Sequence, residues 1–317
     1  MITCIIPVYN ESNNISTIYN RIIKSLDYNL VDEIIFINNS STDQTANMIK
    51  KICDEDFKVK LVSFSRNFGY QASISAGLDL SKSEWTVIID GDLQDPPELI
   101  EKLYNKALET ESDVVYGTRK SRNDPIFKKI CFWIFYRILR VFSEIKIPLD
   151  AGEFCIMNKK VVNIIKSLKE GQRFNRGLRS WVGFKQTSFD YDRDPRFSGS
   201  TKFNFSSAYE LALDGLLGFS KKPLRITLLL GLIIIFLLFM YVLINLCSKF
   251  LSYLFDTSFL FTLPPGLTQT NLLIIILAAI NMVFLGLIGE YIGRIYEEVK
   301  SRPRYLIKEI YQKETKQ

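Results

Sequence analysis

The chain has 317 residues, 47% of them hydrophobic, and a formal net charge of +6. That is enough for one large or two moderate domains with a substantial core. It contains no histidine, which excludes Ser-His-Asp and Cys-His catalysis and histidine metal ligation. Any metal is then held mainly by oxygen, as suits Mg²⁺ or Mn²⁺. Cys4, Cys53, Cys131, Cys155 and Cys247 are odd in number, scattered and without a C-x-x-C pair. They read as reduced core thiols, not as a disulfide framework or a zinc site.

The N-terminal apolar run "TCIIPV" is too short for a signal peptide, and no basic residues precede it. It reads as the first strand, "ITCIIPV" (2–8). A helix follows over 11–26, with Asn10 or Ser12 as its expected cap. The alternation continues along the chain. "DEIIFIN" (32–38) is a strand and 41–53 a helix. "VKLVSFS" (59–65) is a strand and 69–81 a helix. "EWTVIID" (84–90) is a strand, "PPELIEKLYNKALE" (96–109) a helix opened by prolines, and "SDVVYG" (112–117) a strand. This order predicts an α/β fold, with a mainly parallel sheet and helices on both faces. Ligands then bind beyond the carboxyl ends of the strands. Asn10, Asn38, Asn39, Arg66 and Asp90 all fall at such ends. Asp90-Gly91-Asp92, with Asp95 just after, ends one apolar strand in clustered carboxylates. Repelling acids at a strand tip point to a cation, and a turn of this type can hold a metal that bridges a diphosphate.

The stretch 126–145, "IFKKICFWIFYRILRVFSEI", mixes aromatics with Lys128, Lys129, Arg137 and Arg140. As a helix it is amphipathic and basic, suited to a membrane interface. Composition changes near residue 223. Two long apolar segments follow, 226–246, which is uncharged, and about 272–292, which is uncharged over 272–289. Roughly 20 helical residues cross a ~30 Å hydrocarbon layer. Lys221, Lys222 and Arg225 precede the first span. Arg294, Lys300, Arg302 and Arg304 follow the charge-free core of the second, and only Lys249 is basic between them. The positive-inside rule places both termini in the cytoplasm. Gly289 and Gly293 give a helix-packing spacing at the end of the second span. The expected organisation is a cytoplasmic domain (1–223), a transmembrane hairpin (224–296) and a basic cytoplasmic tail (297–317).

Seven stretches carry a family resemblance, in order: "IIPVYNE" (5–11), "NNSSTDQT" (38–45), "SRNFGYQASISAGL" (65–78), "DGDLQDPPE" (90–98), "LDAGEFCIMNKKVV" (149–162), "RFNRGLRSWVGF" (173–184) and "DPRFSGSTKF" (194–203). With the two spans they resemble inverting family 2 polyprenyl-phosphate glycosyltransferases. Bactoprenol glucosyltransferases and dolichol-phosphate mannose synthases are examples. The resemblance implies a GT-A (Rossmann-like) catalytic domain. It also implies a nucleotide-sugar donor, a polyprenyl phosphate acceptor at the bilayer and a metal, Mg²⁺ or Mn²⁺. It implies that Pro7, Tyr9, Glu11, Asn39, Asp90, Asp92 and Gln94 line the donor site, with Asp90 and Asp92 on the metal. Asp95, Asp150 and Glu153 are the implied catalytic carboxylates. Arg196, Ser200 and Lys202 are the implied phosphate contacts.

The sequence departs from the family pattern in two places. Asn38 and Asn39 stand where two aspartates are usual, and Cys155 stands where an arginine is usual. The expected activity is transfer of a hexose, glucose from a UDP sugar, to undecaprenyl phosphate. A GDP-mannose-dependent mannosyltransferase and a catalytically weak scaffold are the alternatives. A processive synthase is disfavoured because Ser180 precedes Trp181 where a Q-x-x-R-W motif would be. A transporter is disfavoured because no charge sits mid-span. No nucleic-acid partner is expected, and a homo-oligomer is compatible with the sequence.

Overall fold

The computed structural model describes residues 1–119, 148, 151–171, 173–194, 222–255 and 267–313. The chain divides into two compact units: Met1–Phe219 with Ser301–Gln317, and Ser220–Lys300. The expected interfacial helix at 126–145 lies outside the described residues.

The first unit is built on β1 (Ile2–Val8), α1 (Ser12–Ser25), β2 (Val31–Asn38), α2 (Thr45–Glu55), β3 (Val59–Phe64), α3 (Tyr70–Leu80), β4 (Trp85–Ile88), α4 (Leu99–Glu109) and β5 (Val114–Arg119). After the undescribed segment come β6 (Ala151–Asn158), α5 (Lys159–Ser167), α6 (Asn175–Val182) and β7 (Gln186–Tyr191). The last strand, β8 (Ile307–Tyr311), follows the second unit. One eight-stranded sheet runs β7-β5-β6-β4-β1-β2-β3-β8.

Every residue of β1 is buried, as a strand covered by helices on both faces must be. Its odd and even side chains enter different cores. Cys4, Ile6 and Val8 pack with Ile15, Ile18 and Ile22 of α1, Ile49 of α2 and Ile100 of α4. Ile5 packs with Ile74 and Leu78 of α3 and Val161 and Ile165 of α5. The α/β fold with helices on both faces is as expected. Pairs β1–β2, β1–β4, β2–β3 and β5–β7 are parallel. Pairs β4–β6, β5–β6 and β3–β8 are antiparallel.

The expected cap of α1 differs. Glu11 is the N-cap residue and makes no side-chain capping bond. Ser12 is already helical. Asn10 Oδ1 instead accepts the Thr42 N–H at 2.8 Å, and the Asn10 backbone N–H donates to Ser41 Oγ at 2.9 Å. Asn10 thus ties the end of β1 to the turn after β2, at a positive φ of 51°.

The tail after Lys300 folds as part of the sheet. β8 pairs with β3 from Leu61↔Tyr311 to Phe64↔Ile307. Tyr305 stacks on Phe64 with ring centroids 5.2 Å apart and donates to Asp79 at 2.9 Å. Lys50 bonds Glu309 at 2.6 Å, and Tyr311 donates to Asp54 at 2.7 Å. Sequence patterning had assigned this stretch only a basic character.

The second unit holds α7 (Lys222–Phe255) and α8 (Leu267–Val299). Among the described residues, one stretch is long and apolar enough to cross a membrane, Leu273–Val299, with mean hydropathy 2.4 and none of it buried. A shorter apolar stretch, Leu229–Tyr241, lies in α7.

Helix α3 packs on β1 with no room to spare. A Cβ added at Gly77 would lie 2.2 Å from Ile5 Cγ2. Ile5 is fully buried and cannot move aside. Helix propensity favours alanine over glycine by about 1 kcal/mol, whereas forcing a methyl into a packed core costs about 1–3 kcal/mol. Gly77→Ala is therefore expected to lower thermal stability, read as a fall of several degrees in the unfolding midpoint. A rise would mean that α3 can lift from the sheet.

Candidate active site

Strand direction gathers the chemistry at one edge of the sheet. β1 to β4 are parallel, so their carboxyl ends lie together. β6 is antiparallel to β4, with Ile88 opposite Cys155. Its amino end, carrying Glu153, therefore reaches the same edge. β5 and β7 deliver Arg119 and Tyr191 there as well, as Arg119 is paired with Tyr191.

The acidic turn fits closely against β1. A Cβ at Gly91 would lie 2.8 Å from Val8 Cγ1 and 3.1 Å from the Pro7 carbonyl oxygen. Only glycine lets the turn approach this near. Leu93 adopts φ 61°, and the Gln94 N–H donates to Asp92 Oδ1 at 3.2 Å. Asp92 is 9% exposed and Asp95 is 1% exposed.

Hydroxyls and cations face these acids. The Tyr70 hydroxyl donates to Asp90 Oδ1. The Tyr191 hydroxyl donates to Asp95 Oδ1 at 2.5 Å. Arg193 Nη2 lies 3.5 Å from Asp90 Oδ2, and its Nε lies 3.3 Å from Asp95 Oδ1. Asp95 Oδ2 is buried and has no hydrogen-bond partner. Removal from water, then the charges of Asp95 and Asp92, push the Asp90 carboxyl up to about 7. Burial, then the charge of Asp90, raises the Tyr70 hydroxyl, so it stays a proton donor.

Glu153 is buried at the same sheet edge. Its Oε1 accepts from Gln71 Nε2 at 3.2 Å and Arg176 Nε at 3.1 Å. Gln71 also anchors α6, accepting the Asn175 N–H at 3.0 Å. Cys155 is buried, and burial raises its thiol. Arg179 lies beside it, with Nη1 and Nη2 at 3.5 and 3.4 Å from the Gly152 carbonyl. The cation missing from position 155 is thus matched by two arginines of α6, Arg176 and Arg179.

Asn39 has a fixed orientation. Its Oδ1 accepts the Phe68 N–H at 2.8 Å, and its Nδ2 donates to Asn67 Oδ1 at 2.9 Å. Asn67 Oδ1 also accepts the Gly69 N–H at 2.9 Å. An aspartate at 39 would set a second acceptor against that oxygen, so the amide suits this neighbourhood. Asn38 is spent structurally, accepting from Ser41 N–H at 3.0 Å and donating to Ser63 at 3.3 Å.

Of the expected site residues, the same sheet edge collects Pro7, Tyr9, Glu11, Asn39, Asp90, Asp92, Gln94, Asp95 and Glu153. Glu11 accepts from Asn14 at 2.6 Å. Asp150, Arg196, Ser200 and Lys202 lie outside the described residues. Tyr70, Gln71, Arg119, Arg176, Arg179, Tyr191 and Arg193 were not singled out from the sequence. The quoted stretches contain Tyr70, Gln71, Arg176 and Arg179, but no spacing marks them.

Residues 3–165 match the family model for glycosyl transferase family 2. The chain belongs to this family. It is 39% identical over 312 residues to an uncharacterized glycosyltransferase of Synechocystis, covering 98% of this chain and 95% of that one. It is 35% identical over 311 residues to the bactoprenol glucosyl transferase of Shigella phage SfX, covering 97% and 98%. A prophage bactoprenol glucosyl transferase homolog of Escherichia coli is also 35% identical, over 316 residues, covering 98% and 99%.

In this family 2 glycosyltransferase the recess concentrates negative charge where a cationic ligand can relieve it. The ligand-free protein carries the cost. Because the Asp90 carboxyl is raised from 3.8 to about 7, folding favours its protonated form. The resulting stability is full below pH 4 and is lost as pH rises through 7. Asp90→Asn is therefore expected to raise the ligand-free melting temperature at pH 8 by roughly 2–4 °C and to leave it unchanged at pH 3.5. An equal effect at both pH values would assign the gain to packing.

Proposed function

We propose that this enzyme transfers a hexose, glucose from a UDP sugar, to polyprenyl phosphate at the cytoplasmic membrane face, with inversion. The observation that carries this proposal is the acidic recess at the sheet edge in a chain that also holds an unburied apolar helix of membrane length. Relatives named bactoprenol glucosyl transferase, alike over almost the whole length, support the acceptor class.

A divalent cation, Mg²⁺ or Mn²⁺, fits the donor set. Among the described residues no three acidic or cysteine side chains form a metal cage. Mg²⁺ sites of this kind use one or two carboxylates and complete the shell with substrate phosphates and water. The raised Asp90 carboxyl and the unpartnered Asp95 oxygen are consistent with missing positive charge. Asp90 and Asp92 would hold the ion, which when bound neutralises charge on the departing diphosphate.

The chain's residues supply placement. Asn39, oriented by Phe68 and Asn67, offers its amide to the base, with Pro7, Tyr9, Glu11 and Gln94 around the donor. Arg196, Ser200 and Lys202 contact phosphate oxygens. A phosphate monoester, with a second pKa of roughly 6, is already ionised at neutral pH. Its oxygen attacks the anomeric carbon from the face opposite the nucleoside diphosphate, so no strong general base is needed. Glu153, and Asp150 by the same logic, serve to orient the acceptor side. Asp95, held by Tyr191 and Arg193, braces the acidic turn.

The return of β8 supports a two-helix hairpin. The chain leaves the sheet-bearing unit, runs through α7 and α8, and completes the same sheet. Crossings between two parts of one folded unit must be even in number. If α8 spans the bilayer, a second crossing is needed, and we assign it to α7, which carries the apolar stretch Leu229–Tyr241.

Two measurements test this function. Purified protein in detergent, given undecaprenyl phosphate and a panel of labelled UDP and GDP sugars, is expected to move label from UDP-glucose alone into the organic phase. EDTA and Asp92→Ala should each lower that signal about 100-fold or more. Transfer from GDP-mannose would instead select the mannosyltransferase alternative. In intact cells, tags before Met1 and after Gln317 should both be shielded from external protease, whereas a cysteine introduced into 256–266 should label from outside.

A further inference from the structure

Arg193 stands two residues past β7, and its segment is fastened to the acidic turn. The Asp194 N–H donates to the Gln94 carbonyl at 3.0 Å. The Asp194 carboxylate lies 3.6 Å from Arg21 Nη2. This places the guanidinium between two acids, 3.5 Å from Asp90 and 3.3 Å from Asp95.

The contact is loose by the standard of the same molecule. Arg21 grips Glu98 as a fork, with both nitrogen–oxygen distances 2.7 Å. That is the geometry of a strong arginine–carboxylate pair. Arg193 instead splits itself between two carboxylates, and its Nε makes no hydrogen bond. Its side chain is 23% exposed. A guanidinium held this way neutralises charge without being locked, and another cation can replace it.

We propose that Arg193 is an internal stand-in for the divalent cation. It offsets the acids of the ligand-free recess and competes with the metal for them. The proposal rests on the metal assignment made above for Asp90 and Asp92. It explains how repelling carboxylates stay gathered before the donor arrives. It also makes metal entry depend on an anion that can accept the displaced guanidinium. A nucleoside diphosphate, arriving with the metal, supplies that anion. Arg193 is thus a positioning residue that favours joint loading of metal and donor over loading of metal alone.

The test uses the full-length protein in detergent and follows free Mn²⁺ by electron paramagnetic resonance, with and without UDP. Without UDP, Arg193→Gln is expected to bind Mn²⁺ about tenfold more tightly than wild type. Arg193→Lys, which keeps the charge but loses the planar fork that reaches toward both carboxylates, is expected to tighten binding about threefold. UDP should strengthen Mn²⁺ binding by a smaller factor in Arg193→Gln than in wild type. A residue that merely supported the recess would give the opposite sign, weaker Mn²⁺ binding on substitution. Unchanged or weaker binding in both variants, with wild type binding Mn²⁺ in the presence of UDP, overturns the stand-in role and leaves the metal assignment intact. No Mn²⁺ binding by any of the three proteins, with or without UDP, overturns both.

Discussion

Four carboxylates at one edge of a sheet repel one another, and much of the first unit serves to offset that repulsion. Asp90, Asp92, Asp95 and Glu153 come from two neighbouring segments, one after β4 and one in β6. Their compensating groups come from elsewhere. Tyr70 and Gln71 come from the start of α3, Arg176 from α6, and Tyr191 and Arg193 from the end of β7. A single hydroxyl or guanidinium contributes little in water, but in a recess of lowered dielectric the same contact counts for more. The sheet's strand directions make this possible, because they bring those segment ends to one place.

The fold was largely legible because its strands are buried on both faces. Such strands appear as short runs dominated by apolar residues, as in Ile2–Val8, Ile34–Ile37 and Trp85–Ile88. The acids were legible for the converse reason: Asp90-Gly91-Asp92 interrupts such a run where packing alone would not call for charge. Their partners were not. Tyr191 meets Asp95 across 96 residues and Asn175 meets Gln71 across 104. Nothing local in a tyrosine or an arginine shows which distant acid it will face. The cap of α1 was misread for a related reason, since Asn10 was spent on the turn after β2, 32 residues away. Strand β8 was missed because its five residues, IKEIY, follow no clear alternation and lie at a solvent-facing edge, where Ile310 is half exposed.

The two departures from the family pattern acquire a physical account. Asn39 sits where its amide hydrogen satisfies Asn67 and its oxygen satisfies Phe68, so a neutral side chain completes a network that a carboxylate would break. Cys155 lies in a buried pocket with Arg179 and Glu153, where the positive charge enters from α6. The hydrogen bonds of Asn39 are met by Phe68 and Asn67, and Arg179 brings positive charge beside Cys155. Retention of the acids and their partners argues for a working enzyme over a scaffold.

The place of β8 also governs how the protein is made. β3 is complete after 64 residues, yet its outer partner begins at Ile307. At about 5–20 residues per second, the ribosome needs roughly 10–50 s to supply it. Through that interval the β3 edge has unpaired backbone groups, the kind of edge that recruits foreign strands. Both α7 and α8 are made in that interval, before the edge is closed. Completion of the sheet thus waits on the synthesis of both long helices: until Ile307–Tyr311 emerges, the outer edge of β3 stays open.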